Sequence, residues 1–226
     1  MNRPTLQTGF TLIELMVGMV VGLIVLSGVL FSFLTMVRSS LQIERMANLE
    51  IETSVLTDRI IGEIRRSGYW YQLPTNIASG ADSPYLGNST SGEFDIYVDS
   101  GQKCVLYSYD QNDNKEIEAE ERRGFLAFSN SLYYLASAAS LSSSLCSSNT
   151  GWIQLNNPEI SVIETTDFQF SETCSDTTSA ADCSLSEDRV EIRNVGLSYV
   201  ARHIEDTSVR VIQKSSVTIR NNRVYE

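Results

Sequence analysis

From Leu15 to Val37 the chain carries no charged residue, a run of 23 positions. A helix needs about 20 apolar residues to cross the hydrocarbon core of a bilayer, so this run predicts a membrane-spanning helix. One carboxylate, Glu14, stands at its N-terminal edge, and a short polar leader, Met1 to Thr8, precedes it with one arginine, Arg3. An ordinary secretory signal is cut after its apolar core, at a small-residue site. Here the small residue, Gly9, comes before the core. Cleavage after Gly9 would leave the apolar segment as the N-terminus of the mature chain, beginning at Phe10.

The stretch Gly9-Phe10-Thr11-Leu12-Ile13-Glu14-Leu15, with the apolar run behind it, resembles the type IV prepilin family, which includes the pseudopilins of type II secretion. That signature is a Gly, an aromatic residue or Met, Thr-Leu-Ile/Val-Glu and then a membrane helix, and the chain matches it at every position. A charge inside an apolar helix costs roughly 2.5–3.5 kcal/mol at the helix centre, so a carboxylate at one fixed place is a specific mark. The resemblance implies cleavage between Gly9 and Phe10 by a prepilin peptidase, and N-methylation of Phe10. It also implies a role for Glu14, whose carboxylate would pair with the positive N-terminus of a neighbouring subunit. A lone carboxylate in a dry helix bundle needs such a partner.

The 226 residues, less the leader and a helix, leave roughly 150 for one globular domain with a core. A net charge of −11 argues against nucleic acid as a partner, which needs a basic footprint. Four cysteines, Cys104, Cys146, Cys174 and Cys183, lie beyond the apolar run. An even count there points to disulfides and an oxidising compartment. Three connectivities are possible. Pairing Cys174 with Cys183 closes a short Ser/Thr/Asp/Ala loop and is favoured, which leaves Cys104 for Cys146.

Polar residues begin at Arg38, yet the helical period continues through Leu49, Leu56, Ile60 and Ile64. This is an apolar stripe suited to packing on a sheet. Arg65 and Arg66 suit a last helical turn, and Ser67-Gly68 supplies the stop. The expected helix spans about Phe10 to Arg66, roughly 85 Å at 1.5 Å per residue. A loop-like stretch follows to Gly92. Strands are then expected at Phe94–Val98, Lys103–Tyr109, Gly124–Phe128, Leu132–Leu135, Trp152–Leu155, Ile160–Ile163, Asp167–Phe170, Arg189–Arg193, Leu197–Ile204 and Val209–Ile219, with Ser137 to Thr150 a Ser-rich surface loop. The fold class is α+β, one long N-terminal helix packed on a mostly antiparallel, β-rich head. Four segments are expected: a leader over 1–9, a transmembrane and filament-core helix over 10–37, the amphipathic half of that helix over 38–68 and the head over 69–226.

The run from Asp110 to Glu121 places oxygen-bearing side chains at loop positions one, three and five (Asp110, Asn112, Asn114), an apolar Ile117 at eight and Glu121 at twelve. This is the spacing of an EF-hand calcium loop, except that Lys115 stands where the turn wants glycine. The ligands would be the Asp110, Asn112 and Asn114 side chains, the Glu116 carbonyl, Glu118 and bidentate Glu121. No cofactor is required by the sequence; the one candidate is a single calcium ion, structural rather than catalytic, which this loop would hold between two strands. The competing reading is a solvated acidic turn.

His203 is the only histidine. It lies in an alternating strand without a convergent motif and reads as a surface or edge-strand residue, and Trp70 and Trp152 read as packing. No catalytic constellation is present, so an enzyme is not expected. Asp58 to Trp70, the loop from Tyr109 to Phe125 and the ending Val217 to Arg223 are similar to the W-type group of minor pilins, with Ser67 in place of the group's Ala. That likeness implies a low-copy subunit that helps initiate or cap a type IV pilus. Its partners would be other minor pilins, the major pilin, the processing peptidase and methyltransferase, and the assembly platform of the inner membrane. The head would lie in the periplasm and then in the filament. A J-type minor pseudopilin of type II secretion is the second reading, and a membrane-anchored adhesive or ligand-binding protein the third.

Overall fold

The computed structural model describes residues 9, 11–69, 96–114, 116–176, 190–219 and 223–224, of which 174–176, 190–192 and 223–224 are described by backbone alone. One helix, α1, runs from Leu12 to Ile64, 53 residues. The chain divides into two compact units, Met1–Arg45 and Met46–Glu226. In the first unit every side chain from Leu12 to Glu44 is exposed. This stretch is long and apolar enough to cross a membrane.

In the second unit α1 buries Leu49, Thr53, Leu56, Thr57, Ile60, Ile61 and Ile64. These include the four stripe residues expected from the period. A fully buried Leu or Ile contributes about 1.5–3 kcal/mol, so four contribute roughly 6–12 kcal/mol as an upper estimate. The helix ends slightly earlier than expected. Arg66 and Ser67 donate to carbonyls three residues back, Glu63 and Ile64, the tightened bonding that closes a last turn. Gly68, at φ 70°, then turns the chain away, and its N–H donates to the Ser108 carbonyl at 2.8 Å. Arg65 and Arg66 therefore lie in the turn after the helix and not in its last turn.

Two antiparallel sheets pack on this half of α1. The first has the order β1-β2-β3-β4-β5, with β1 Ile96–Val98, β2 Cys104–Ser108, β3 Arg122–Phe128, β4 Ser131–Leu135 and β5 Ile153–Gln154. In the second, the 14-residue β8 Val190–His203 is central. β7 Gln169–Asp176 and β6 Ser161–Ile163 pair along one of its edges, and β9 Arg210–Thr218 and β10 Arg223–Val224 along the other. Asn156 stitches the sheets: its Oδ1 accepts the Leu132 N–H of β4, and its Nδ2 donates to the Ser161 carbonyl of β6, each at 3.0 Å.

The first sheet is buried on both faces. Val105 and Tyr107 of β2 face the main core with α1, whereas Cys104 and Leu106 join Leu126, Leu135, Leu141 and Trp152 in a second cluster. Two-sided burial explains why Lys103 to Tyr109 reads as a continuous apolar run. Gly124 in β3 is required by close approach: a Cβ there would lie 2.8 Å from the Val105 carbonyl and 3.1 Å from the Trp152 ring. The expected surface loop, Ser137 to Thr150, covers this second cluster instead. Leu141 within it is 1% exposed, and Ser143–Ser147 forms a short 3₁₀ turn.

Three further expectations are corrected. The strands expected at Arg189–Arg193 and Leu197–Ile204 merge in the one strand β8, Val190–His203, with Arg189 outside the described residues, because Gly196 is a point of close packing and not a break. It lies opposite Ser171, whose Oγ would meet a Cβ at 2.5 Å. β7 continues past Phe170 to Asp176, because Ser171 to Asp176 pairs fully with β8. His203 is neither on the surface nor on an edge strand: it ends the central β8 at 7% exposure, and its Nδ1 accepts the Glu205 N–H at 3.2 Å.

Candidate functional site

At the N-terminal end of α1, Gly9 is exposed and outside the helix, while Phe10 lies outside the described residues. Thr11 caps the helix. Its Oγ1 accepts the Glu14 N–H at 3.3 Å and contacts Glu14 Oε2 at 3.4 Å. Glu14 sits in the first turn, where the helix dipole favours a negative charge. The carboxylate is thus held by its own subunit at the mouth of the apolar run. The Thr-x-x-Glu spacing ahead of an apolar run is a capping-box signal, and it was there to be read in Thr11 and Glu14.

At the other end of α1, the structure brings together the segment from Asp58 and the loop from Tyr109. Asp110 N–H donates to the Tyr69 carbonyl at 2.8 Å. Glu63 Oε2 accepts from Arg123 Nη1 and from the Tyr109 hydroxyl, each at 3.1 Å. Arg123 Nη1 also donates to Tyr134 Oη at 2.9 Å, and its guanidinium bonds Gln111 Oε1. Arg59 lies over the Tyr134 ring at 4.9 Å. Burial, reinforced by the Glu63 carboxylate, holds the Tyr107 hydroxyl well above its ordinary range, and it raises Tyr109 in the same way. On the second sheet, Tyr199 Oη meets Thr57 Oγ1 and donates to the Thr53 carbonyl, both at 2.9 Å. Burial pushes Tyr199 up to about 12. These contacts pair residues far apart in the chain, so no local spacing announces them.

In the acidic loop, the two oxygens of Glu121 are occupied by backbone donors, the Gln111 N–H at 2.8 Å and the Glu118 N–H at 3.1 Å. Asn112 Oδ1 accepts the Asn114 N–H, and Asn114 Oδ1 accepts the Glu116 N–H. Asn112 Nδ2 donates to Glu118 Oε2 at 2.7 Å. Asp110 and Glu121 are both buried. As folded, the loop closes on its own N–H groups. Among the described residues no group of three or more His, Cys, Asp or Glu side chains is placed to hold a metal ion.

Cys104 and Cys146 form a disulfide, with Cα atoms 5.7 Å apart, which ties the start of β2 to the 3₁₀ turn. The pairing of Cys174 with Cys183 falls outside the described residues, as does Trp70.

A long N-terminal helix with an uncharged exposed run and a capped glutamate at its start, packed by its second half on antiparallel sheets, is the architecture of a pilin-type subunit. Two family models match the chain: the prokaryotic N-terminal methylation motif over residues 5–30 and prepilin peptidase-dependent protein B over residues 42–219. The chain belongs to the prepilin peptidase-dependent protein B family. It is a prepilin-like subunit of the pilin and pseudopilin type, a structural class, and its processing makes the prepilin peptidase a partner. No curated protein and no solved structure gives a match.

Proposed function

We propose that this chain is a minor pilin, a low-copy subunit that helps initiate or cap a type IV pilus. Processing falls between Gly9 and Phe10, and the mature N-terminus is methylated. The observation that carries the reading is the state of α1 in the first unit. Every side chain from Leu12 to Glu44 is exposed, so this apolar surface requires lipid first and other helices afterwards. Glu14, held at the helix start by Thr11, is placed to exchange that contact for the amino terminus of a neighbouring subunit, which sets the axial register. The head lies in the periplasm, an oxidising compartment that suits the Cys104–Cys146 disulfide. The likeness of the Asp58 and Tyr109 segments to the W-type group supports a pilus subunit over a J-type pseudopilin. Their packing against each other at the end of α1 agrees with one shared structural unit.

Deletion of the gene tests the reading. Loss of surface pili, with type II secretion unchanged, is the expected result. Loss of secretion with normal piliation would assign the chain to a pseudopilus instead. Normal piliation and secretion together, with reduced attachment to surfaces, would favour an anchored adhesive protein.

A further inference from the structure

The far edge of the second sheet is one long strand. β9 pairs with β8 alone among the described residues, in an unbroken register from Asn194↔Thr218 to Arg202↔Arg210. The His203 N–H donates to the Val209 carbonyl and the Ile219 N–H to the Arg193 carbonyl, each at 2.9 Å. Bonded and non-bonded pairs alternate along an antiparallel ladder, so the odd-numbered residues of β9 turn their N–H and C=O groups to β8. Arg210, Ile212, Lys214, Ser216 and Thr218 turn theirs to the open edge. The side chains of these residues are exposed, Ile212 at 60%. Gln213, on the opposite face, reaches α1 and donates to Thr53 Oγ1 at 3.2 Å. Edges are commonly blunted by proline, a bulge, short length or charge. β9 is nine residues long, roughly 30 Å, with no proline and no bulge. Its guard is charge: Arg210 and Lys214 stand on the exposed face, two residues to either side of Ile212.

We propose that the open edge of β9 receives an extended segment of another protein, antiparallel to β9, with a carboxylate, an apolar residue and a second carboxylate at alternate positions. Its backbone bonds the outward N–H and C=O groups, and its side chains select the register. One carboxylate lies opposite Lys214, the apolar residue opposite Ile212 and the other carboxylate opposite Arg210, cross-strand pairs that each stabilise a sheet. The charges choose this occupant. The chain as a whole carries a net charge of −11, yet β9 and the β8 residues level with Arg210, Ile212 and Lys214 on this face (Arg202, Val200 and Ser198) include no acid. Glu164, beside them, is paired with Arg202. Among the described residues Arg210 and Lys214 have no ion-pair partner. A second copy of β9 laid along this edge would bring four cations onto one face with no acid between them, and like charges repel. An acidic segment meets the same cations with opposite charge. The edge belongs to the second unit and acts alike in a pilus or a pseudopilus subunit.

The test uses the full-length protein in neutral detergent and a synthetic end-blocked peptide, Thr-Thr-Ser-Thr-Glu-Thr-Ile-Thr-Glu, whose alternate residues fit Thr218, Ser216, Lys214, Ile212 and Arg210 in turn. Residue-resolved hydrogen exchange is expected to show the Ile212, Lys214 and Ser216 amides exchanging freely in the protein alone and at least tenfold more slowly with peptide. Arg210→Glu combined with Lys214→Glu is expected to weaken binding at least tenfold with the melting temperature of the head unchanged. A peptide with lysine in place of both glutamates should then bind the variant and not the original protein. Absence of binding overturns the proposal. So does binding that ignores the charge reversal, or protection that falls on other amides. Protection already present in the protein alone also overturns it, since the edge is then covered by the chain itself or by a second copy.

Discussion

The two parts of α1 share one secondary structure and face opposite conditions. From Leu12 to Glu44 no side chain is buried, whereas from Leu49 to Ile64 one face is filled by two sheets. Hydrogen bonding is the same in both, so it cannot be what separates them. The second part has its hydrophobic partners inside its own chain and is stable as part of the head. The first has none there among the described residues, and on the proposed reading its partners are lipid and other subunits. A substitution in one part should therefore register as loss of folding, and in the other as loss of assembly.

The largest effect is expected from Glu14→Val. It should abolish incorporation into filaments while leaving cleavage and the melting temperature of the head unchanged, as read by immunoblot of sheared filaments and by thermal unfolding. Normal incorporation would remove Glu14 from the assembly account. Next, Ile60→Ala should cost the head about 2–5 kcal/mol through its cavity, whereas Val25→Ala in the exposed part should move head stability by no more than about 0.5 kcal/mol. Denaturant unfolding of the two variants breaks the comparison if their effects are equal. Cys146→Ser should cost about 2–5 kcal/mol, because the Cys104–Cys146 bridge no longer restrains the unfolded chain.

Alkaline pH gives a smaller effect. Tyr199 keeps its proton up to about 12 in the folded head, whereas an unfolded tyrosine releases it near 10. Above pH 10 the unfolded state thus holds fewer protons, and stability falls as pH rises. The contribution is complete below pH 10 and is lost through pH 12, about 3 kcal/mol in all. Tyr199→Phe should flatten that part of the stability profile. The smallest effect concerns calcium. With Glu121 already bonded to Gln111 and Glu118, adding calcium to a chelator-treated head should leave the melting temperature unchanged. A rise that Glu121→Gln removes would establish the calcium loop.

Legibility in the sequence followed the range of the forces. Leu49, Leu56, Ile60 and Ile64 announce their buried face because a helix repeats its environment every three or four residues. Strand positions were equally plain where aromatic and branched residues cluster. Strand lengths were not, since Gly196 looks like a break until Ser171 is seen to need its missing side chain. Ser171 to Asp176 has no apolar pattern and is extended only because β8 supplies its partners. The processing motif is local and could be read directly. The contacts of Glu63 with Arg123 and of Tyr199 with Thr57 join residues 60 and 142 positions apart, and no spacing rule reaches that far. The acidic loop shows the reverse case. Its spacing suits an ion, but the same Asn and Glu oxygens also suit the loop's own N–H groups.

Intact mass with N-terminal sequencing of the protein from its native membrane tests the central claim most directly. The account predicts a mature chain beginning at methylated Phe10, with the whole apolar run retained. A chain still beginning at Met1, or one cut after the apolar run, would contradict it.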